Sequence, residues 1–116
     1  MLKNFFNLFK TSDDEKTILD YFMKKSKQAM IRGDFWPALR YLDRAIEIKP
    51  KSRKLILAKG IIYKDGLKNI EKAMEYLQMA ATMLSTGGQE EDIARERAKQ
   101  TIKEIMELYG DKYEKQ

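Results

Sequence analysis

At 116 residues, of which 43% are hydrophobic and 35% are charged, the chain suits one soluble domain with a hydrophobic core. Its net charge of +5 is uneven: residues 1–60 hold 14 basic and 7 acidic residues, whereas residues 61–116 hold 9 and 11. Cysteine and histidine are absent, which excludes disulfides, thiolate metal sites and histidine acid–base chemistry. We therefore expect a protein that is not an enzyme, with no catalytic, metal or cofactor site.

Composition also predicts the fold class and the compartment. With 6 glycines and 2 prolines, and with many Ala, Leu, Lys, Glu and Met residues, the chain favours helix throughout, so an all-α fold is expected. No apolar run reaches the roughly 20 residues that a membrane span needs. The first residues lack the features of a secretory signal, and we expect a cytoplasmic protein.

Residues 1–11 are predicted to form a short amphipathic segment of their own. Its large apolar residues recur at i, i+3, i+4 and i+7, and so share one helical face: Leu2, Phe5, Phe6 and Phe9. Three interpretations of this docking face remain open. The segment folds back to cap the domain, docks on a partner, or lies in a membrane interface. The flanking lysines Lys3 and Lys10 are compatible with the last of these.

Residues 12–110 are predicted to form a helical domain, followed by a polar tail at 111–116. Capping and breaking residues divide the domain into five helices, at about 13–32, 35–48, 53–64, 70–84 and 89–109. Their predicted N-caps are Ser12 (in a capping box with Glu15), Asp34, Ser52 and Asn69. Gly33, Pro50, Gly66 and Gly110 mark helix ends. Helices that are joined by such short turns must pack antiparallel to each other.

An internal repeat links the first four of these helices. At a shift of 34, Phe22, Ser26 and Ala29 match Ile56, Gly60 and Tyr63. At a shift of 35, Ala38, Tyr41, Leu42 and Ala45 match Ala73, Tyr76, Leu77 and Ala80. One extra residue in the turn at 65–69 explains the change. The small residues at these positions let helices approach closely, and neither pair can bury its apolar face alone, so the pairs are expected to stack.

These residues carry a resemblance to a known family. The residues of the first copy that follow the family's motif are Gly33, Asp34, Phe35, Ala38, Leu39, Tyr41, Leu42, Ala45, Ile46, Ile48 and Pro50. The second copy of the repeat has the central part of this motif at Ala73, Tyr76, Leu77 and Ala80. The chain thus resembles the tetratricopeptide family over residues 19–86. The resemblance implies antiparallel helix pairs stacked as a short right-handed α-solenoid, with helix 89–109 as a third-repeat helix or a cap.

The resemblance also implies a concave groove, lined by the first helix of each pair, that binds a partner protein or peptide. The phase set by Ser26 and Gly60 predicts the side chains that face it: Met23, Lys27, Met30, Lys54, Leu57, Ile61 and Lys64, continued by Arg95, Lys99 and Lys103. Apolar residues among lysines suit an acidic partner. The alternative is that Leu57 and Ile61 pack against the N-terminal segment or the last helix.

The leading functional prediction is a protein-binding adaptor or scaffold. A second is a structural element that self-assembles into homo-oligomers, with membrane contact through the first helix as a variant. The basic run at 49–54 (KPKSRK) lacks the aromatic residues or reader motif that nucleic-acid binding calls for, and is read as a turn between helices. The acidic residues Glu90, Glu91 and Asp92 are read as charge that favours a helix start, rather than as a metal site.

Overall fold

The computed structural model describes residues 12–84 and 87–113, with side chains described for 15–84 and 87–110. Within these ranges all regular structure is helical, which confirms the all-α prediction. Five α-helices follow one another: α1 (Ser12–Arg32), α2 (Phe35–Ile48), α3 (Arg53–Ile61), α4 (Ile70–Thr82) and α5 (Gln89–Tyr113). None of the described helices is long and apolar enough to cross a membrane. The predicted N-terminal face of Leu2, Phe5, Phe6 and Phe9 lies outside the described residues. The side chain of Ser12, the predicted capping residue of α1, also lies outside them.

Of the three predicted N-caps whose side chains are described, two cap their helices and one does not. The Ser52 hydroxyl accepts a hydrogen bond from the Leu55 amide at 3.3 Å, and the Asn69 side chain accepts one from the Lys72 amide at 3.0 Å. Asp34 occupies the N-cap position of α2, but its side chain caps nothing. Its carboxylate instead lies 3.3 Å from Nε of Arg32. The prediction of a side-chain cap at Asp34 is therefore wrong, because the arginine two residues earlier holds the carboxylate.

Two hydrophobic clusters form the core, and α3 belongs to both. The first joins α1 and α2 to α3 and the residue that follows it: Leu19, Ala29, Ala38, Leu39, Leu42, Ala45, Leu55 and Ile62. The second joins α3 to α4 and α5: Ile56, Leu57, Ala73, Met74, Leu77, Ala80, Ala94, Ala98 and Ile105. Helix α3 thus contributes buried side chains to both clusters and lies between the two groups of helices.

The small residues of the repeat lie where helices approach each other. In the first pair, the buried Ser26 hydroxyl donates a hydrogen bond to the Ala38 carbonyl at 2.8 Å. In the second, a Cβ added at Gly60 would lie 2.9 Å from both Cγ and Cδ2 of Leu77. The equivalent positions 26 and 60 therefore both lie at the contact between the paired helices, and at Gly60 this contact leaves no room for a larger residue.

Helix α3 passes directly into a π-helical turn, Ile62–Gly66. The amide of Leu67 donates to the carbonyl of Ile62 at 3.0 Å, five residues back. A π-turn holds one more residue than an α-turn. The extra residue of the second repeat is therefore accommodated at 62–66, slightly earlier than the turn at 65–69 where the sequence comparison placed it. The ring of Phe35 occupies the space where a Cβ of Gly66 would lie, so this turn also packs on the start of α2.

The last helix departs from its predicted end. Tyr109 has non-helical angles (φ −126°, ψ 19°), which matches the predicted stop near Gly110. Helical structure nevertheless resumes and continues to Tyr113. The polar tail predicted at 111–116 therefore begins with helical backbone at 111–113.

Candidate functional site

A cleft of about 550 Å³ opens where the starts of α1, α3 and α5 meet the end of α2. It is lined by residues from all four helices and the connection before α3: Glu15, Lys16, Leu19, Asp20, Met23, Ile48, Lys49, Ser52, Lys54, Leu55, Glu90 and Glu91. Its volume lies within the roughly 300–1,000 Å³ of typical ligand pockets. The cleft is therefore large enough to receive several side chains of a bound peptide.

The interior of the cleft is apolar and its rim is charged. Leu19 and Leu55, which are 9% and 3% exposed, form its base, and Met23 and Ile48 are half-buried beside them. The rim carries four carboxylates and three ammonium groups: Glu15, Asp20, Glu90, Glu91, Lys16, Lys49 and Lys54. An apolar base can anchor hydrophobic side chains, while a mixed rim orients the charges beside them.

One lysine of the rim is already paired. Nζ of Lys54 lies 2.8 Å from Oε1 of Glu90, across the gap between α3 and α5. This hydrogen bond lowers the pKa of the exposed Glu90 carboxyl below its usual 4.5. The positive charge of Lys54 adds to the effect, and that of Lys49 adds less. The pair ties the two helix starts at neutral pH, and it takes from Lys54 the charge that a partner was predicted to meet.

The residue beside Lys54 is buried, which the sequence did not reveal. Arg53 is 1% exposed, although it belongs to the basic run at 49–54 that the sequence predicts to be a turn between helices. Its guanidinium donates hydrogen bonds to the carbonyls of Met83 and Glu91, the second at 3.5 Å, and its Nε lies 3.7 Å from a Glu91 carboxylate oxygen. Arg53 thus fixes the end of α4 and the start of α5 to α3, and so shapes one wall of the cleft.

The acidic run at the start of α5 divides among three different cations. Glu90 pairs with Lys54 and Glu91 with Arg53, whereas Asp92 accepts a hydrogen bond from Arg95 at 2.9 Å. Three carboxylates held by separate partners do not converge on one point, and no group of metal-ligating residues occurs among the described residues. All three residues lie in the first turn of α5, where the helix dipole favours negative charge.

The predicted groove residues do not form one continuous surface. Met23 and Lys54 line the cleft together. Ile61 and Lys64 line a separate cavity of about 320 Å³ against α5. Leu57 is 5% exposed and belongs to the core cluster with α4 and α5, and Ile61 packs on the same cluster. The prediction of Leu57 as a partner-binding residue is therefore wrong, and the alternative, packing against the last helix, is what the structure has.

The helical phase assigned to α5 is also wrong. Residues of α5 that face Ile61 and Lys64 across the second cavity are Arg97, Gln100, Thr101 and Glu104. The predicted residues are offset from this face: Arg95 pairs with Asp92, Lys99 lies 3.8 Å from Glu96, and Lys103 is exposed. Two remaining predicted residues are on α1, where Lys27 is exposed and Met30 packs against the first core cluster.

A polar cluster outside the cleft ties α2, α3 and α4 together. Nζ of Lys59 lies 2.8 Å from Oδ1 of Asp43 and 4.6 Å from the ring centroid of Tyr76, which stacks on Tyr63 at 5.6 Å. Burial by itself would lower the pKa of Lys59. The hydrogen bond and charge of Asp43, with smaller effects of Tyr76, outweigh burial and raise the pKa above 10.5.

We expect this ion pair to make stability depend on alkaline pH. A raised folded-state pKa means that the stabilisation is fully present below the unfolded value of 10.5 and is lost as pH rises through the folded value. Near neutral pH the unmodified chain should exceed Asp43→Asn in free energy of unfolding by up to about 1 kcal/mol. Urea unfolding across a pH series should show this difference closing above pH 10.5.

The control for this prediction is Glu47→Gln on the same helix. Glu47 pairs at 3.6 Å with Arg44, an exposed arginine that keeps its charge at alkaline pH. Its small effect should stay unchanged as pH rises from neutral to above 10.5, the range in which the Asp43→Asn difference closes. A gap for Asp43→Asn that is equally constant would show that Asp43 acts otherwise than through the charge of Lys59.

Comparison with known proteins adds no relative to these observations. No protein-family model matches the chain, and neither the curated proteins nor the solved structures include a match to it.

Proposed function

We propose that the chain is a non-enzymatic protein-interaction module of the tetratricopeptide type. In this proposal it serves as an adaptor or scaffold that binds a short amphipathic segment of a partner protein in the cleft between α1 and α3. The observation that carries the proposal is the cleft itself, with an apolar base of Leu19 and Leu55 inside a charged rim. Helix-in-groove recognition uses such a surface, because apolar anchors fill the base and flanking charges pair with the rim.

The helix contacts support the tetratricopeptide part of this proposal. Helix α1 packs on α2, α3 packs on α4, and each pair meets the next helix along the chain, α2 on α3 and α4 on α5. The small residues Ser26 and Gly60 occupy equivalent places in the two pairs. A right-handed stack of two pairs, with α5 as the cap, is consistent with these contacts. Basic residues on α5, Arg95, Lys99 and Lys103, suit a solvated outer face on such a cap.

The rim changes the expected charge of the partner. The sequence favoured an acidic partner because lysines dominate the predicted groove. Glu90 and Glu91 are engaged by Lys54 and Arg53, and along α1 the rim carries two carboxylates, Glu15 and Asp20, against one ammonium group, Lys16. We therefore propose an amphipathic segment with large apolar residues on one face and lysine or arginine beside them.

Peptide selection followed by substitution in the cleft tests this function. Peptides selected from a random displayed library on the unmodified protein should lose at least about 30-fold in affinity for Met23→Glu, because a carboxylate would enter the apolar base. Lys24→Glu is the matched control: it adds the same side chain on the same helix, at an exposed residue outside the cleft lining. Its affinity should stay within about threefold of the unmodified chain, as for a rim-type residue.

Circular dichroism of both variants checks that the helices are retained. Peptides that bind Met23→Glu as tightly as the unmodified protein would place recognition outside the cleft and contradict the proposal. The affinities can be measured by fluorescence anisotropy of labelled peptides.

Homo-oligomerisation is the second candidate, and one observation favours it. Leu108 and Tyr109, near the end of α5, are 74% and 44% exposed, and Ile93 on the same helix is 60% exposed. Apolar side chains at the end of a helical stack suit contact with a second copy. Light scattering over a concentration series distinguishes the candidates, since a rise in mass with concentration favours assembly and a constant monomer mass favours the adaptor.

A further inference from the structure

We propose that residues 1–10 of this same chain occupy the cleft and compete there with the partner segment. This inference rests on the proposed function, because it assigns a built-in competitor to the same site. It gives the cleft one occupant of defined sequence, MLKNFFNLFK. The partner would then have to displace the chain's own segment.

Position and length support this occupant. On α1 the cleft is lined from Glu15 to Met23, and the segment ends immediately before α1 begins at Ser12. A reversal of direction before Ser12 would lay the segment along the cleft. As a helix, residues 2–9 would span about 10 Å, and the stretch of α1 from Lys16 to Met23 also spans about 10 Å.

The chemistry of the segment matches that of the cleft. The apolar face Leu2, Phe5, Phe6 and Phe9 can fill the apolar base formed by Leu19 and Leu55. Phenylalanine side chains gain much from such burial. In charge, residues 1–10 hold two lysines, Lys3 and Lys10, and no acidic residue.

The carboxylates along this part of the cleft complement those lysines. Glu15 and Asp20 belong to the rim on α1 itself. With an apolar face and flanking lysines, the segment is the kind of amphipathic ligand that the rim favours.

Nuclear Overhauser contacts in the complete, isotope-labelled chain test the location. The aromatic protons of Phe5, Phe6 and Phe9 should show contacts to the methyl groups of Met23 and Leu55. The contacts to Leu55 should be lost in Met23→Glu and kept in Lys24→Glu. A second groove of about 430 Å³ between α1 and the end of α2, lined by Ile18 and Phe22 among others, is the alternative location. Contacts to Ile18 and Phe22 without contacts to Leu55 would overturn the proposal.

A mixed sample separates the chain's own segment from that of a second copy. If labelled and unlabelled chains are combined and filtered spectra show the same contacts between copies, the occupant is a second copy and the intramolecular proposal fails. Absence of any contact between the three rings and the cleft residues overturns it as well.

A binding experiment then separates this inference from the proposed function. The library-selected peptide should bind the triple variant Phe5→Asp, Phe6→Asp, Phe9→Asp about tenfold more tightly than the unmodified chain, as expected if the free cleft is a minor population. If the three rings contact the cleft but no library-selected peptide competes with them, the location of the segment is upheld and the proposed partner-binding function is contradicted. Selected peptides that need Met23 but gain nothing from the triple variant would uphold the function and overturn the competitor.

Discussion

Arg53→Ala should lower the free energy of unfolding by about 3 kcal/mol, as when one partner of a buried ion pair is removed. Arg53 is nearly inaccessible to solvent, and its guanidinium binds the carbonyls of Met83 and Glu91 and faces the Glu91 carboxylate. Without Arg53, the two carbonyl oxygens lose their hydrogen-bond donor. The Glu91 carboxylate loses the positive charge that neutralises it. Urea-induced unfolding followed by circular dichroism measures the loss.

The neighbouring residue supplies a matched control for Arg53. Lys54 also pairs with a glutamate of α5, but both side chains are exposed, at 52% and 75%. Lys54→Ala should therefore change the free energy of unfolding by less than about 1 kcal/mol. Equal effects of the two substitutions would mean that Arg53 does not tie α3 to α5 as its contacts indicate.

Gly60→Val should destabilise the chain by about 3 kcal/mol through overpacking between α3 and α4. Even a single Cβ at this position would lie 2.9 Å from two side-chain atoms of Leu77, and 3.3 Å from its backbone nitrogen. Valine adds two methyl groups beyond that Cβ. Because Leu77 is fully buried, its side chain has little room to move away. Thermal and urea unfolding give the loss.

A double substitution tests the cause of the Gly60 effect. Leu77→Ala alone should cost about 3 kcal/mol, as for a buried leucine. In that background Gly60→Val should cost clearly less than it does alone, since the side chain it meets has been removed. Strictly additive effects would show that residue 60 acts by some means other than contact with Leu77.

Local signals in the sequence were sufficient to predict the helices. Caps such as Ser52 and Asn69 act on amides three residues away, so the start of a helix can be read from a few neighbouring residues. Asp34 shows the limit of this reading, because a competing cation at Arg32 captured its carboxylate. The spacing of small residues also predicted which helices approach closely at Ser26 and Gly60.

The candidate site was harder to predict because it depends on how separate helices meet. Met23 and Lys54 line the same cleft, and the repeat relates their two helices. The phase of α5 was not fixed by the repeat, and an error there assigned Arg95 to a face that Arg97 occupies. No local feature distinguishes the buried Arg53 from Lys54 beside it. Only the approach of α5, 38 residues later, decides which of the two is enclosed.

The π-helical turn at Ile62–Gly66 bears on how such repeats can diverge in length. The helix itself takes up one additional residue in a wider turn. Two copies of a motif can therefore differ in residue number while the segments that connect their helices stay short. Gaps between copies therefore need not fall in loops. An alignment that admits insertions only between helices would shift every equivalence near that turn by one position.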